Sequence, residues 1–487
     1  MQRALVWFRD DLRIHDHPAL TAAVDHAASV NNSTGVGTAA ADAKAGRHKA
    51  GSQNGGDVVG LYVLDDHTKN IRPLGGAARW WLHHALESLR IELGQLGIPL
   101  LIRSGDPAKV VPNLAREIHA DHVTWSRRYG AGERALDAAI KTDLPQHGIE
   151  VESFAGSLLH EPWQIKTSTG GPYKVFTPFF HALSDMSIRE PAPAPEPVAQ
   201  LRTVSAGLSG AAIAAGEPAD LDLLPTKPDW AGGLRQKWDP TEAGGHRRLQ
   251  HFIDEHGNDY DRDRDFPGTD GTSLMSPYLR FGQITPFQAW HAAADISDDT
   301  SRRSFRSELG WREFCWHLLY HFPQLPHENL REQFDAYPWR TRKQEPEIFK
   351  AWTAGGTGFA FVDAGMRELW ETGHMHNRVR MAVASLLVKN LGIDWRDGEA
   401  WFWDTLVDAD PASNPANWQW VAGCGMDAAP YFRIFNPERQ RERFDPRGEY
   451  VHHWVPELDS SDYPEPLVDL KASREEALEH YNQIRGN

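Results

Sequence analysis

Cysteine is nearly absent. Among 487 residues only Cys315 and Cys424 occur. Two thiols cannot build a disulfide framework or a four-cysteine cluster. Such scarcity fits a reducing compartment. Long apolar runs are missing as well. No stretch approaches the roughly 18 residues of a membrane helix. The opening MQRALVWFRDD carries charges where a signal peptide needs an apolar segment. A soluble, cytoplasmic protein with no membrane association is the expectation. A basic excess is also lacking: 51 Lys and Arg stand against 67 Asp and Glu, for a net charge of −16. Taken alone, that balance argues against a nucleic-acid binder, which usually carries a basic footprint.

A chain of this length exceeds one core, so two or more domains are expected. Short apolar runs at 4–8, 58–64, 99–103 and 122–126 suit buried parallel strands. Amphipathic stretches at 77–96 and 107–119 lie between them. This alternation predicts an α/β doubly wound, parallel-sheet domain over 1–160. Residues 31–57 lack an apolar pattern and read as a disordered insertion. Residues 161–235 read as an interdomain linker, rich in Pro, Ala and Gly from 190 onward. Strand signals vanish after about 240, and 236–487 reads as an all-helical domain. No internal repeat is evident.

The helical part holds the chemistry. The chain has 19 Trp, and Trp401, Trp403, Trp418 and Trp420 fall within WFWDTLVDADPASNPANWQWVAGCGMDAAPYFRIFNP, residues 401–437. A hydrophobic core accounts for some of these rings. It does not account for the interleaved Asp408, Asp410 and Asn414, because buried charge needs a partner such as Arg or a polar cofactor. Thr272, Ser273 and Ser276 form a hydroxyl-rich turn opening a helix. That turn suits an anion cradle or a simple N-cap. Arg302, Arg303, Arg306 and Arg312 suggest either a solvated helix face or a local basic face on an acidic body.

The 401–437 stretch resembles the flavin-binding signature of the DNA photolyase/cryptochrome family. Further blocks in family order extend the resemblance over nearly the whole chain: ALVWFRDDLR (4–13), RWWLHH (79–84), GGPYKVFTPF (170–179), GTSLMSPYL (271–279), ELGWREF (308–314), GHMHNRVRM (373–381) and IDWR (393–396). The likeness is to the cyclobutane-dimer branch, and the two cysteines speak against the iron–sulfur branch. The implied cofactor is FAD, active when reduced. Tyr260, Thr272, Ser273, Leu274, Met275, Ser276, Arg312, Arg380, Asp408, Asp410 and Asn414 correspond to its binding positions. Leu274 replaces a frequent Arg, so one phosphate contact is expected to be missing. Asn414 corresponds to the residue facing flavin N5. Trp418, Trp395 and Trp339 correspond to an electron-hopping chain from flavin to surface, although core packing also accounts for an arbitrary Trp.

The implied partner is ultraviolet-damaged DNA, single- or double-stranded, bound by a monomer. Trp311 and Trp420 correspond to a wedge that holds a flipped-out dimer. Asn377, Arg378 and Met381 line the same pocket in relatives, Glu308 hydrogen-bonds the dimer, and Arg264 and Gln440 correspond to further substrate- or DNA-binding positions. Excited reduced flavin lends an electron, the cyclobutane ring splits, and the electron returns. Enzymes for (6-4) lesions carry proton-donating His residues at these positions. His374 and His376 lie nearby and read as structural or surface. In the α/β domain Trp81 and Glu133 correspond to antenna contacts. The antenna expected is 5,10-methenyltetrahydrofolate, with 8-hydroxy-deazaflavin or an empty site open. No metal is implied. A cryptochrome-like photoreceptor is the competing reading. Plant-type receptors usually carry Asp where Asn414 stands, together with a long C-terminal extension.

Overall fold

The computed structural model describes residues 2–29, 56–196, 216–428 and 432–485. All but the last two residues of the expected 31–57 insertion lie outside these. Five strands, β1 (Arg3–Phe8), β2 (Asp57–Leu64), β3 (Leu100–Ser104), β4 (His122–Ser126) and β5 (Glu150–Phe154), form one parallel sheet in the order β3-β2-β1-β4-β5. Side chains alternate between its two faces. Ala4, Val6 and Phe8 of β1 pack in the core that includes the helix Gly76–Gln95. Leu5 and Trp7 pack in the core under the helices Pro107–Glu117 and Ala131–Asp143. Because both faces are covered, β1 and β2 are apolar without alternation, as expected. The sequence reading missed β5. It runs EVESF at the sheet edge, partly exposed, and carries no apolar run.

From Glu242 onward the described residues are helical, apart from an isolated bridge between Arg340 and Ile393. The expected linker departs from the structure at both ends. Phe176, Phe179 and Leu183 of the helix Phe176–Ser184 are buried against Phe314 and Leu318 of the helix Asp299–His321. Leu221, Leu223 and Leu234 are buried in the core that includes the helix Gly76–Gln95. Residues 197–215 of the expected linker lie outside the described residues. Both cysteines are buried and unpaired. No described helix is long and apolar enough to cross a membrane.

The α/β and helical parts meet through buried guanidiniums. Arg13 is fully buried and donates to the carbonyls of Gly282 (2.8 Å), Asp16 (2.8 Å) and Gly156 (3.3 Å). Gly282 has φ of +65°, and a Cβ there would lie 2.1 Å from the Asp10 carbonyl. This close approach lets the turn before Ile284 lie against the end of β1. Asp16 accepts from Thr285 Oγ1 at 2.7 Å. Removing Arg13 strands several buried acceptors at once. Arg13→Met is expected to lower the unfolding free energy by about 3 kcal/mol. A urea titration followed by tryptophan fluorescence measures this, and an unchanged midpoint would mean that water replaces the guanidinium at the joint.

Candidate functional site

A cavity of about 520 Å³ opens in the helical part, a volume in the usual range for a cofactor site. Its walls come from distant segments: the turn 272–276, the helix Asp299–His321, the helix Asn377–Ser385, and the loop and helix spanning 406–421. The structure thereby gathers Tyr260, Arg264, Thr272, Ser273, Leu274, Met275, Ser276, Glu308, Trp311, Arg312, Asn377, Arg378, Arg380, Met381, Asp408, Asp410, Asn414, Trp418 and Trp420 around one space.

One wall is polar and tightly fixed. Arg380 donates to Asp408 through both Nη atoms, at 2.9 and 3.2 Å, and through Nε to the Met375 carbonyl at 2.7 Å. The Asp408 side chain is 5 % exposed and that of Arg380 is 25 % exposed, so only one member of the pair is deeply desolvated. Burial works to raise the Asp408 carboxyl, but Arg380 overrides it and holds the group below the ordinary carboxylate range. Ser276 Oγ donates to Asp408 Oδ2 at 2.6 Å, which ties the hydroxyl turn to the pair. Leu274 sits at φ +54°, a left-handed conformation uncommon for a bulky side chain. The departure from Arg at this position is therefore also a place of backbone strain. Asp410 accepts from the N–H groups of Ala412 and Ser413 (2.8 and 2.6 Å) and so holds the start of the helix Ser413–Ala422.

Asn414 is buried. Its Nδ2 donates to Glu399 Oε1 at 2.7 Å and to the Glu399 carbonyl at 3.1 Å. Both amide protons are therefore committed, and its Oδ1 is left as the free acceptor. Arg72 of the α/β part donates to both oxygens of Glu399 at 2.7 and 2.8 Å. Burial raises the Glu399 carboxyl despite Arg72. Sequence reasoning missed Glu399 and Arg72. Neither lies in a quoted block, and their pairing across 327 positions has no local signal.

The rest of the wall is aromatic. Trp311 stacks on Phe176, with centroids 3.6 Å apart and planes 8° from parallel. Trp420 Nε1 donates to the Asp427 carbonyl at 3.1 Å, and Asp427 Oδ2 accepts from the Phe176 N–H at 3.2 Å. A single residue thus anchors Trp420 and the ring beneath Trp311. Charges here are paired. Arg264 donates to Glu308, and Arg378 donates to Asp265 through Nε and Nη2 (2.7 and 3.0 Å). Arg378 also reaches Met381 Sδ at 3.9 Å.

Three expectations need correction. First, the Arg cluster is not one open face. Arg302 is paired with Asp299, Arg306 donates to the Trp290 carbonyl, and Arg312 donates to the Ser157 carbonyl at 2.8 Å. These side chains satisfy local acceptors because they point along or into the helix packing. Second, His374 and His376 are not on the surface. Both are buried and line the cavity. His374 pairs with Glu368 at 3.3 Å, and His376 Nδ1 caps the helix Asn377–Ser385 by accepting from the Arg378 N–H. Third, Trp81 offers no open face. It is fully buried against Phe281, Tyr278 and Trp238, and its Nε1 donates to Gln283 at 2.9 Å. Glu133 lies in the first turn of the helix Ala131–Asp143 and contacts none of these residues. Gln440, expected to bind substrate or DNA, is on the helix Pro437–Phe444 outside the cavity lining.

Trp395 and Trp339 also stand outside the cavity, but in a sequence of contacts leading from it. Trp418 packs against Gly398, where a Cβ would meet its ring at 2.2 Å. Gly398 lies one turn from Trp395 on the same helix, so the two rings address one helix face. Trp395 is buried and donates to Asn329 Oδ1 at 2.9 Å. The Arg340 carbonyl accepts from the Asp394 N–H (2.8 Å), which ties the loop carrying the partly exposed Trp339 to the start of the Trp395 helix.

Can these residues hold FAD? The cavity combines a hydroxyl turn, a charge pair and a free amide acceptor. His376, which lines the cavity, also has a buried ring nitrogen, Nε2, without a hydrogen-bond partner. Apolar rings flank these groups. The donor set fits a large, part-polar, part-aromatic ligand of the dinucleotide kind. A doubly wound domain joined to a helical domain with such a cavity defines a class of two-domain flavoproteins. The comparisons with known proteins narrow it. The family model described as DNA photolyase matches residues 4–197, and that described as FAD binding domain of DNA photolyase matches residues 305–462. The deoxyribodipyrimidine photo-lyase of Agrobacterium fabrum is 44 % identical over 99 % of this chain and 98 % of its own length. Cryptochrome-2 of Arabidopsis thaliana is 32 % identical over 99 % of this chain and 76 % of its own. The crystal structure of a bacterial class III photolyase from Agrobacterium tumefaciens superposes with a TM-score of 0.87 at 43 % identity, covering 100 % of this chain and 98 % of that one. The chain belongs to the DNA photolyase family.

Removing Arg380 would leave Asp408 unpaired in a largely desolvated position. In a partly solvated pair the penalty is on the order of 2 kcal/mol. Arg380→Gln is therefore expected to bind FAD at least about tenfold more weakly. Flavin retained per chain after gel filtration reads this out. Full retention would assign the pair to protein stability alone.

Proposed function

We propose that the protein repairs cyclobutane pyrimidine dimers in DNA under blue light. The observation that carries this reading is the fixed aromatic pair, Trp311 and Trp420, lining the same cavity as the Arg380–Asp408 pair and Asn414. Bound there, reduced FAD would supply on excitation the electron that opens a cyclobutane ring and takes it back. The Ser276–Asp408–Arg380 chain and the turn 272–276 would hold the cofactor, with Tyr260, Leu274, Met275, Asp410 and Arg312 completing the walls. Asn414, its protons committed to Glu399, would present an oxygen to the flavin edge.

The chain's own residues treat the DNA. A dimer stacks and pairs poorly, so flipping it out costs less than flipping intact bases. Trp311 and Trp420 would receive it, at about 1–3 kcal/mol per stacked base. Glu308 would steady a dimer carbonyl or imide edge, and Arg264 fixes the Glu308 carboxylate. Asn377 and Met381 would close the pocket, with Gln440 outside it on the DNA side. Phosphate contacts would come from Arg378 rather than from the 302–312 cluster.

Lesion choice follows from protonation. Burial pushes His376 down to about 4 and also lowers His374. Neither imidazole carries a dischargeable extra proton at pH 7, and a (6-4) reaction needs proton transfer to the lesion. Reduced protein is expected to split thymine dimers in irradiated oligonucleotides in light but not in darkness, and to leave (6-4) products intact. Repair of the (6-4) product, or dark splitting, overturns the assignment. A cryptochrome-like photoreceptor, the second reading, predicts flavin photochemistry with no dimer loss in the same assay.

Trp418, Trp395 and Trp339 would carry electrons from the surface to recharge oxidised flavin. Trp395 is buried away from the cavity and should not touch DNA. Trp395→Phe is expected to abolish photoreduction of oxidised FAD while leaving repair by chemically reduced protein within about twofold, a change worth under 0.5 kcal/mol. Transient absorption and a dithionite-reduced repair assay separate the two. Equal loss of both would make the residue structural. An antenna of 5,10-methenyltetrahydrofolate is proposed near Glu133, with 8-hydroxy-deazaflavin as alternative. The near-ultraviolet spectrum of the purified protein distinguishes them. We place the protein in the cytoplasm as a monomer.

A further inference from the structure

Far from the reaction cavity, four metal-ligating side chains converge on the joint between the two parts of the molecule. His15 comes from the loop after β1. Glu92 comes from the last turn of the helix Gly76–Gln95. Glu242 and His246 are one turn apart on the helix Glu242–Glu255, which places them on one face. His15 Nδ1 lies 2.7 Å from Glu242 Oε1, and His246 Nε2 lies 3.7 Å from the same oxygen. One ligand atom from each of these three residues falls within 4.8 Å of the others. Tetrahedral ligands on zinc are about 3.4 Å apart, from bonds of roughly 2.0–2.1 Å, so modest side-chain adjustment closes the set.

Two features separate this cluster from an ordinary ion pair. Glu92 faces Glu242, carboxyl to carboxyl. Two carboxyl groups are thus held together where, among the described residues, neither ion-pairs with a Lys or Arg. Two ligand atoms are also orphaned: Glu92 Oε2 and His246 Nε2 are buried without a hydrogen-bond partner. A divalent cation would satisfy both and neutralise the carboxyl pair. The supporting contacts are in place. Glu242 is pinned by the N–H groups of Ile14 (2.7 Å) and His15 (3.1 Å), and Glu92 by Ser88 Oγ (3.0 Å). Such second contacts orient ligands for a metal. The exposed His15 imidazole leaves a path for entry. Two other His-acid groups lack the facing carboxyl pair, although His83 Nδ1 is also buried without a partner. His83, His84 and Glu87 lie on one helix, and Asp270 of the His251–His256 group is already held by Arg248 at 2.6 and 3.1 Å.

We infer that His15, Glu92, Glu242 and His246 form a binding site for a zinc-class divalent cation that clips the α/β part to the helical part. Imidazole and carboxylate ligands in this number suit Zn²⁺, with Co²⁺ as a spectroscopic surrogate. A cation bound only by the folded joint raises its thermal stability by mass action.

The test uses the tag-free full chain carrying its flavin, stripped with chelator and titrated with Zn²⁺ against a chromophoric competitor. One equivalent is expected to bind. His15→Ala and His246→Ala should each weaken it by at least about tenfold, while His83→Ala and His251→Ala leave it unchanged. Both ligand variants alter side chains with substantial exposure, and an unchanged flavin spectrum verifies their fold. Co²⁺ should give the intense visible bands of a four-coordinate site in the wild type and lose them in either ligand variant. Zn²⁺ should raise the melting temperature of the wild type and of the two control variants, but not of His15→Ala or His246→Ala. No stoichiometric binding, binding that survives in both ligand variants, or loss in His83→Ala or His251→Ala overturns the site.

Discussion

The molecule depends on burying guanidiniums where its two parts meet. Arg280 is the most consequential. Its Nη1 donates to Asp10 at the end of β1 (2.7 Å), and its Nε donates to the Ala409 carbonyl (3.0 Å). Ala409 lies between the two carboxylates that line the cavity. One planar, always-charged group therefore registers the sheet against the cavity loop. Burial opposes the charge of Arg280, and Asp10 more than offsets that opposition. A shift of the sheet by even a fraction of an ångström would be felt at Asp408 and Asp410. Arg72, itself exposed, makes a second link between the parts by reaching buried Glu399 and through it Asn414. The α/β domain is thus part of how the cavity is built.

Within the cavity, charge and neutrality are sorted by partners. Asp408 remains a carboxylate because Arg380 and Ser276 reach it. His376 remains neutral because burial outweighs the pull of Glu368 and Asp265. A site that only lends and recovers an electron needs this arrangement: fixed dipoles to bind the cofactor and no loose acid to intercept an intermediate. The strained Leu274 fits the same logic, since its conformation persists only because the surrounding turn and the Ser276–Asp408 contact enforce it.

Sequence patterns revealed most of the architecture. Four strands and the helices at 76–95 and 107–117 were legible because burial on both faces forces unbroken apolar runs and covering helices force amphipathic ones. The polar edge strand β5 was not, because an edge needs no apolar run. The cavity residues were legible as a resemblance over contiguous blocks, and the fold brings nearly all of them to one space. What stayed hidden were relations rather than residue types. The Asn414–Glu399–Arg72 chain joins positions far apart. The neutrality of His374 depends on burial that no local pattern encodes. The Arg302–Arg312 run looked like a basic face because sequence does not say where a guanidinium finds its acceptor.

The last point bears on how an acidic protein holds a polyanion. The guanidiniums around the cavity are not free charges awaiting phosphate. Arg264 and Arg378 are already oriented by Glu308 and Asp265. Holding them in place lowers the rotamer entropy lost on binding, and the paired carboxylates cancel their long-range field. On the proposed reading, such a surface would attract DNA weakly at a distance and engage it at short range, where a phosphate could displace or share a carboxylate partner. Intact duplex would gain little from that exchange, because its bases stay stacked and give Trp311 and Trp420 nothing to receive. On the proposed reading, a poorly stacked lesion would add the aromatic contacts to the same phosphate exchange. Selectivity then rests on the cavity walls, and the net charge of −16 suppresses the nonspecific component that would otherwise dilute it.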